Sequence, residues 1–192
     1  KDYLVEKKNL IDLHKLRWIK VVIWITGLAG SGKTTLVNLS LNKVKDLIGP
    51  TLHIDGDEFR KCFGNDLGYS LKDRNTNALR LINFLEYIDN QNINVICSAN
   101  LTSPQFRELA RKKFKKFYEV FIKVEIETLC KRKPEIYLKS KIKESPVAGL
   151  EIKFEDPKSA DLIIENNQNL TTTELKQNFL TSIQNWLQKN EI

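Results

Sequence analysis

The chain has 192 residues, 41% of them hydrophobic, which suits one α/β domain with a substantial core. No apolar run approaches the length that crosses a bilayer, and the opening stretch KDYLVEKKNL is charged rather than signal-like; a cytoplasmic protein with no membrane partner is expected. The net charge of +7 is concentrated in residues 111–143, which hold twelve Lys/Arg against four Glu.

Residues 1–19 mix charge with Leu4, Val5, Leu10, Ile11, Leu13 and Leu16, the pattern of an amphipathic N-terminal extension. Residues 20–26 (KVVIWIT) form a continuous apolar strand. It runs into GLAGSGKT, Gly27 to Thr34, with the P-loop spacing of glycine, four residues, then Gly-Lys-Thr. Such loops need glycine because the backbone turns tightly and must approach phosphate without a Cβ in the way. The loop amides and the start of the next helix then face the anion. The pattern assigns Gly27, Leu28, Ala29, Gly30, Ser31, Gly32, Lys33, Thr34 and Thr35 to ATP, with Lys33 on the outer phosphates and Thr34 on Mg²⁺. Residues 34–45 follow as a helix, with Leu36, Leu39, Leu41 and Val44 at near-helical spacing.

Residues 51–54 form a short second strand that ends in Asp55-Gly56-Asp57. Residues 72–90 read as a helix with Leu79, Ile82, Leu85 and Ile88 on one face, and 93–98 as a buried strand. Pro104 suits a helix start, with 105–114 continuing it. A strand at 118–124 and a helix from 128 come next. Residues 133–157 hold three of the five prolines and little periodicity, so 131–157 reads as a mobile lid and acceptor loop. A last strand at 161–164 and a helix at 172–189 close the chain. Strand and helix alternating in this order predict a single doubly wound, mostly parallel sheet with helices on both faces, the P-loop three-layer sandwich.

Ligands of open α/β sheets bind at the carboxyl ends of the strands. The strand 93–98 ends in Ser98 instead of an acid, so Asp55 and Asp57 are the available carboxylates. Asp57 suits the role of accepting an acceptor hydroxyl's proton, and Asp55 that of holding Mg²⁺; either could instead cap the following helix. Arg60 lies one turn beyond Asp57, and Arg74 and Asn77 are three apart, placements suited to an acceptor that bears phosphate or sulfate. A structural ion pair is the other reading of Arg74. The basic segment suits phosphates, although Arg111 to Lys116 also fit a solvated helix face; no reader motif for nucleic acid is present. Cys62, Cys97 and Cys130 form neither a CxxC pair nor a metal pattern and read as reduced thiols.

DGDEFR, DLGYS and DRNTNALR, in that order, closely resemble the adenylylsulfate kinase pattern DGDxxR, DLGFS and DRxxNxxR. The resemblance runs from the P-loop to about residue 165 and includes Thr102-Ser103-Pro104, YEVFIKV, the Cys130–Arg132 region, YLKSK and AGLEIKFEDP. It implies transfer of the γ-phosphoryl of MgATP to the 3′-hydroxyl of adenylyl sulfate. It also implies that Asp57 assists that hydroxyl, that Lys33 serves the phosphates, and that Arg132 serves ATP. Arg60, Tyr69, Arg74, Asn77, Thr102, Ser103, Lys139, Leu150 and Phe154 would hold the acceptor, its base stacked between Tyr69 and Phe154. Ordinary core packing is the other reading of those two aromatics. Family members are often dimers, so a homodimer is a further expectation.

The chain departs from the family around the lid. The family's RDPKGLYKKAR is here Arg132-Lys133-Pro134-Glu135-Ile136-Tyr137-Leu138-Lys139-Ser140-Lys141, without the lysine-glycine pair. AFISP becomes Ala99 to Pro104 with one extra residue, and the aspartate of the family's TGIDxPYExP is Glu151. Because these changes fall where lid and acceptor meet, a related acceptor such as cytidine diphosphoramidate stays open, as does a non-catalytic nucleotide-binding module.

Overall fold

The computed structural model describes residues 20–138, 145–167 and 170–190; the expected extension at 1–19 and the lid lysines Lys139 and Lys141 lie outside them. β1 (Val22–Thr26) is covered on both faces, which is why Val22 to Ile25 are apolar without alternation. It lies at the centre of a five-stranded sheet with β2 (Thr51–Asp55), β3 (Asn94–Ser98), β4 (Phe117–Lys123) and β5 (Leu162–Glu165), in the order β2-β3-β1-β4-β5. Every neighbouring pair is parallel. The strand order reverses at β1, so the loops after β1, β2 and β3 meet over one end of the sheet.

Successive residues of β1 point into two different cores. Ile23 and Ile25, with Ile96, Val120 and Ile122, pack under α1 (Lys33–Ile48), α5 (Ile126–Arg132) and α7 (Thr172–Lys189). Val22 and Trp24, with Val95 and Cys97, pack under α3 (Leu71–Asn90) and α4 (Pro104–Lys113). The short helices α2 (Gly56–Lys61) and α6 (Pro134–Tyr137) flank the open end of the sheet. Trp24 is fully buried, and its indole N–H donates to the Ala99 carbonyl at 2.8 Å, which ties the end of β3 to β1. Among the described residues no helix is long and apolar enough to cross a membrane.

Element order follows the sequence reading, and in two helices one leucine read as inward is exposed. In α1 the buried stripe is Leu36, Val37, Ser40, Val44 and Ile48, while Leu39 is exposed. In α3 it is Asn77, Ala78, Leu81, Ile82, Leu85 and Ile88, with Leu79 exposed. The apolar spacing gives most of each buried face correctly, Leu36 and Val44 in α1 and Ile82, Leu85 and Ile88 in α3, while the small or polar Ser40, Asn77 and Ala78 are also buried. The stretch read as lid and loop also contains α6 and a tight turn at 147–152, closed by Gly149 N–H donating to the Ile152 carbonyl at 2.8 Å. Glu151, in the place of the family's aspartate, caps that turn by accepting from Val147 N–H at 2.9 Å. Part of the basic segment has a structural use instead of a phosphate one. Arg111 reaches Glu119, Asp161 and the Ser159 carbonyl, and Lys113 pairs with Glu86.

Candidate active site

Glycine-rich sequence after β1 folds as the loop its spacing predicts. Gly27 has φ +152°, and a Cβ there would lie 2.6 Å from the Ile122 carbonyl oxygen of β4. Gly32 caps α1 in the left-handed region with no side-chain cap and no acid in the first turn, so the positive end of the helix is left to an anion. Lys33 folds back over the loop, its ammonium donating to the Gly27 and Leu28 carbonyls at 2.8 and 2.9 Å. Burial brings its pKa down to about 8, against the opposing pull of Asp57 and Asp55. Just after β5, Asn166 clamps the loop by donating to the Ser31 carbonyl at 2.9 Å, a contact over 135 residues that no local pattern announces.

Asp55 closes β2 and does two things at once. Its Oδ1 caps α2, accepting from the Asp57 and Glu58 amides at 3.0 and 3.4 Å. Its Oδ2 accepts from Thr34 Oγ1 at 2.9 Å and from Ser98 Oγ at 3.0 Å, while His53 Nε2 lies 2.8 Å from Ser98 Oγ. Burial pushes Asp55 up, but the hydrogen bonds from Thr34, Asp57, Ser98 and Glu58 outweigh it, leaving its pKa below the usual carboxylate range. The capping and metal readings of Asp55 are therefore compatible. His53 is displaced downward by burial, against the pull of Asp55. The His53–Ser98–Asp55 chain was missed in the sequence, because pairing across β2 and β3 is invisible there.

Gly30, Gly32, Lys33, Thr34, Asp55 and Ser98 line one cavity of about 760 Å³, together with Asp57, Arg60, Tyr69, Arg74, Asn77, Ala99 and Asn100. Asp57 is exposed to this space at the start of α2, across from Lys33. Arg60 and Arg74 both lie over the Tyr69 ring, 4.9 and 5.3 Å from its centre, and donate to the Gly68 and Tyr69 carbonyls. Arg74 also donates to the Pro146 carbonyl at 3.2 Å, so it ties the loop, and among the described residues it makes no ion pair. The carboxamide oxygens of Asn77 and Asn100 are enclosed and lack a partner among the described residues, an arrangement that suits a ligand's donors. Asn100, on the altered segment after β3, carried no signal of its own in the sequence.

Several expected residues lie elsewhere. Phe154 does not face Tyr69 across the cavity; it packs on Phe121 with ring centres 5.8 Å apart, and the Arg107 guanidinium lies 5.7 Å from its ring. Core packing, not base stacking, is what its contacts describe. Thr102 is buried, Ser103 donates to Asn75 at 2.7 Å, and Leu150 sits exposed at the tip of the 147–152 turn; none of the three lines the cavity. Arg132 likewise turns to the Asn167 carbonyl, and it is the next residue, Lys133, that faces the P-loop. Within the loop, Leu28 and Ser31 are buried and support the turn, whereas Ala29, Gly30, Gly32, Lys33, Thr34 and Thr35 line the cavity.

Residues 19–165 match the Adenylylsulphate kinase family profile. A cytidine diphosphoramidate kinase of Campylobacter jejuni is 34% identical, over 76% of this chain and 86% of that protein. A probable adenylyl-sulfate kinase of Archaeoglobus fulgidus is 31% identical, over 77% and 97% respectively. In shape, the chain resembles a Mycobacterium tuberculosis APS kinase in complex with AMPPNP and APS, with a TM-score of 0.74 at 27% identity, covering 85% of this chain and 97% of that one.

Proposed function

The chain belongs to the adenylylsulphate kinase family and is a phosphotransferase with an alcohol acceptor, and from that premise we propose that it phosphorylates the 3′-hydroxyl of adenylyl sulfate to give 3′-phosphoadenylyl sulfate. The observation that carries the reading is the juxtaposition in one cavity of Lys33 and the P-loop with Asp57 and the cluster Arg60, Tyr69, Arg74 and Asn77.

The loop amides, the start of α1 and Lys33 bind the triphosphate and balance charge on the transferring group. Thr34 Oγ1 and Asp55 offer hard oxygen donors side by side, as Mg²⁺ requires. Among the described residues no group of three or more His, Cys, Asp or Glu is placed to hold a metal ion. When bound, Mg²⁺ would neutralise phosphate charge. Asp57 accepts the proton of the attacking hydroxyl. Arg60 and Arg74 hold the anionic part of the acceptor, Tyr69 its base, and Asn77 a donor on it.

A second reading, cytidine diphosphoramidate as acceptor, is favoured by the Campylobacter jejuni relative and by the altered segments 99–104 and 132–138. Incubating the protein with MgATP and each candidate acceptor, with the phosphorylated nucleotide identified by mass, separates the two. Adenylyl sulfate is expected to give the highest kcat/KM. Turnover of the cytidine compound with none of adenylyl sulfate would replace the first reading with the second.

A further inference from the structure

The lid's first turn carries a charge pattern opposite to the one the family shows. Where the family reads Asp-Pro-Lys, this chain reads Lys133-Pro134-Glu135, and the two charged groups form an ion pair at 3.4 Å. We propose that Lys133 is the lid's phosphate-contacting cation, set to engage the terminal phosphates of the bound ATP from the side opposite Lys33. The inference rests on the kinase reading above and names a residue that the P-loop pattern does not contain.

Three observations carry it. The Lys133 side chain runs directly over the loop: a Cβ built on Gly30, at φ +79°, would lie 2.8 Å from Lys133 Cγ, and the residue lines the cavity. Its backbone is pinned from both directions. Lys133 N–H donates to the Leu129 carbonyl of α5 at 2.8 Å, and its own carbonyl accepts from the Ile136 and Tyr137 amides of α6 at 3.0 and 3.1 Å. α6 is in turn fastened to the P-loop, because Tyr137 Oη donates to the Ala29 carbonyl at 2.8 Å. The direction of the Lys133 side chain is thus set before any ligand arrives.

The ammonium itself is lightly held. Lys133 and Glu135 are each about half exposed, 48% and 53%, and an exposed pair of this kind contributes little to stability. A phosphate group, with more charge and more acceptor oxygens, is a better partner than one solvated carboxylate. Arg132, the neighbouring candidate, is committed to the Asn167 carbonyl.

The test is calorimetric titration with Mg·AMPPNP and Mg·ADP, with no acceptor present. Lys133→Ala is expected to weaken AMPPNP binding about tenfold and ADP binding less, and Lys133→Arg to restore most of the loss. Glu135→Gln removes the competing carboxylate and is expected to tighten AMPPNP about twofold. If the pair were only a structural tie, Lys133→Ala and Glu135→Gln would weaken binding alike, and the inference would fail. Unchanged AMPPNP affinity in a folded Lys133→Ala protein, checked by circular dichroism, would also overturn it. Absence of any nucleotide binding by the unaltered protein would instead sink the kinase reading itself.

Discussion

The two walls of the cavity are built by different means. The ATP wall is local: one loop, the start of one helix and Lys33, eight consecutive residues whose backbone supplies most of the chemistry. The acceptor wall is assembled from side chains on α2, α3 and the segment after β3, held in place by contacts from distant parts of the chain. A wall made of backbone tolerates few substitutions, and it tolerates those poorly. A wall made of side chains can be altered piece by piece while the phosphate chemistry continues. The P-loop pattern is intact in this chain, and its departures from the family pattern fall on the lid over the P-loop and on the segment after β3, so they touch both walls.

The strongest way to separate the walls is at Asp57, which lies between them. Asp57→Ala removes the group proposed to accept the hydroxyl proton, and it leaves the P-loop backbone and the Asp55 cap in place, since the cap accepts from the Asp57 backbone amide. Transfer to the acceptor is expected to fall by about a thousandfold, within the usual range for general base catalysis, with ATP affinity nearly unchanged. Steady-state kinetics and nucleotide titration on the same preparation measure both. Near-full turnover by the variant would remove Asp57 from the mechanism and leave the P-loop assignment standing.

A smaller effect probes the acceptor wall through its support. Arg107 is buried on α4 and bridges two acceptor-side segments: it donates to the Leu101 carbonyl at 2.9 Å and lies over the Phe154 ring. Arg107→Met keeps the length of the side chain and loses both ties. The acceptor KM is expected to rise about tenfold, while the KM for ATP stays within about twofold. An equal rise in both would mean that the walls do not act independently.

The same division governs what could be read from residues alone. Strand and helix order, the P-loop and the α2–α3 motifs depend on local spacing, and they are legible. Apolar spacing places Leu36, Val44, Ile82, Leu85 and Ile88 inward, as they are, and also Leu39 and Leu79, which are exposed. Phe154 was assigned to the base by its motif, yet its ring is taken by Phe121 and Arg107, partners that lie on other elements. Asp55 seemed to require a choice between cap and metal ligand. Its two oxygens divide the work, which only the geometry of β2 against β3 and α1 makes apparent.

The mildest expected effect tests the ATP wall without any substitution. Lys33 sits at about 8, far below a free lysine, because burial disfavours its charge. The charged form predominates below that value, and it is the form that attracts phosphate. ATP affinity should therefore be nearly flat from pH 6.5 to 7.5 and weaken by about twofold at pH 8 and about fourfold at pH 8.5. The sign for stability is opposite. Between about pH 8 and the ordinary lysine value the unfolded chain binds more protons than the folded one, so this group's contribution to stability rises with pH as nucleotide affinity falls. Titration of AMPPNP across this range, beside thermal unfolding of the free protein, measures the two trends together. If affinity held level to pH 9, Lys33 would keep its charge in the free protein, and the ammonium's two carbonyl partners would be its dominant influence instead of its burial.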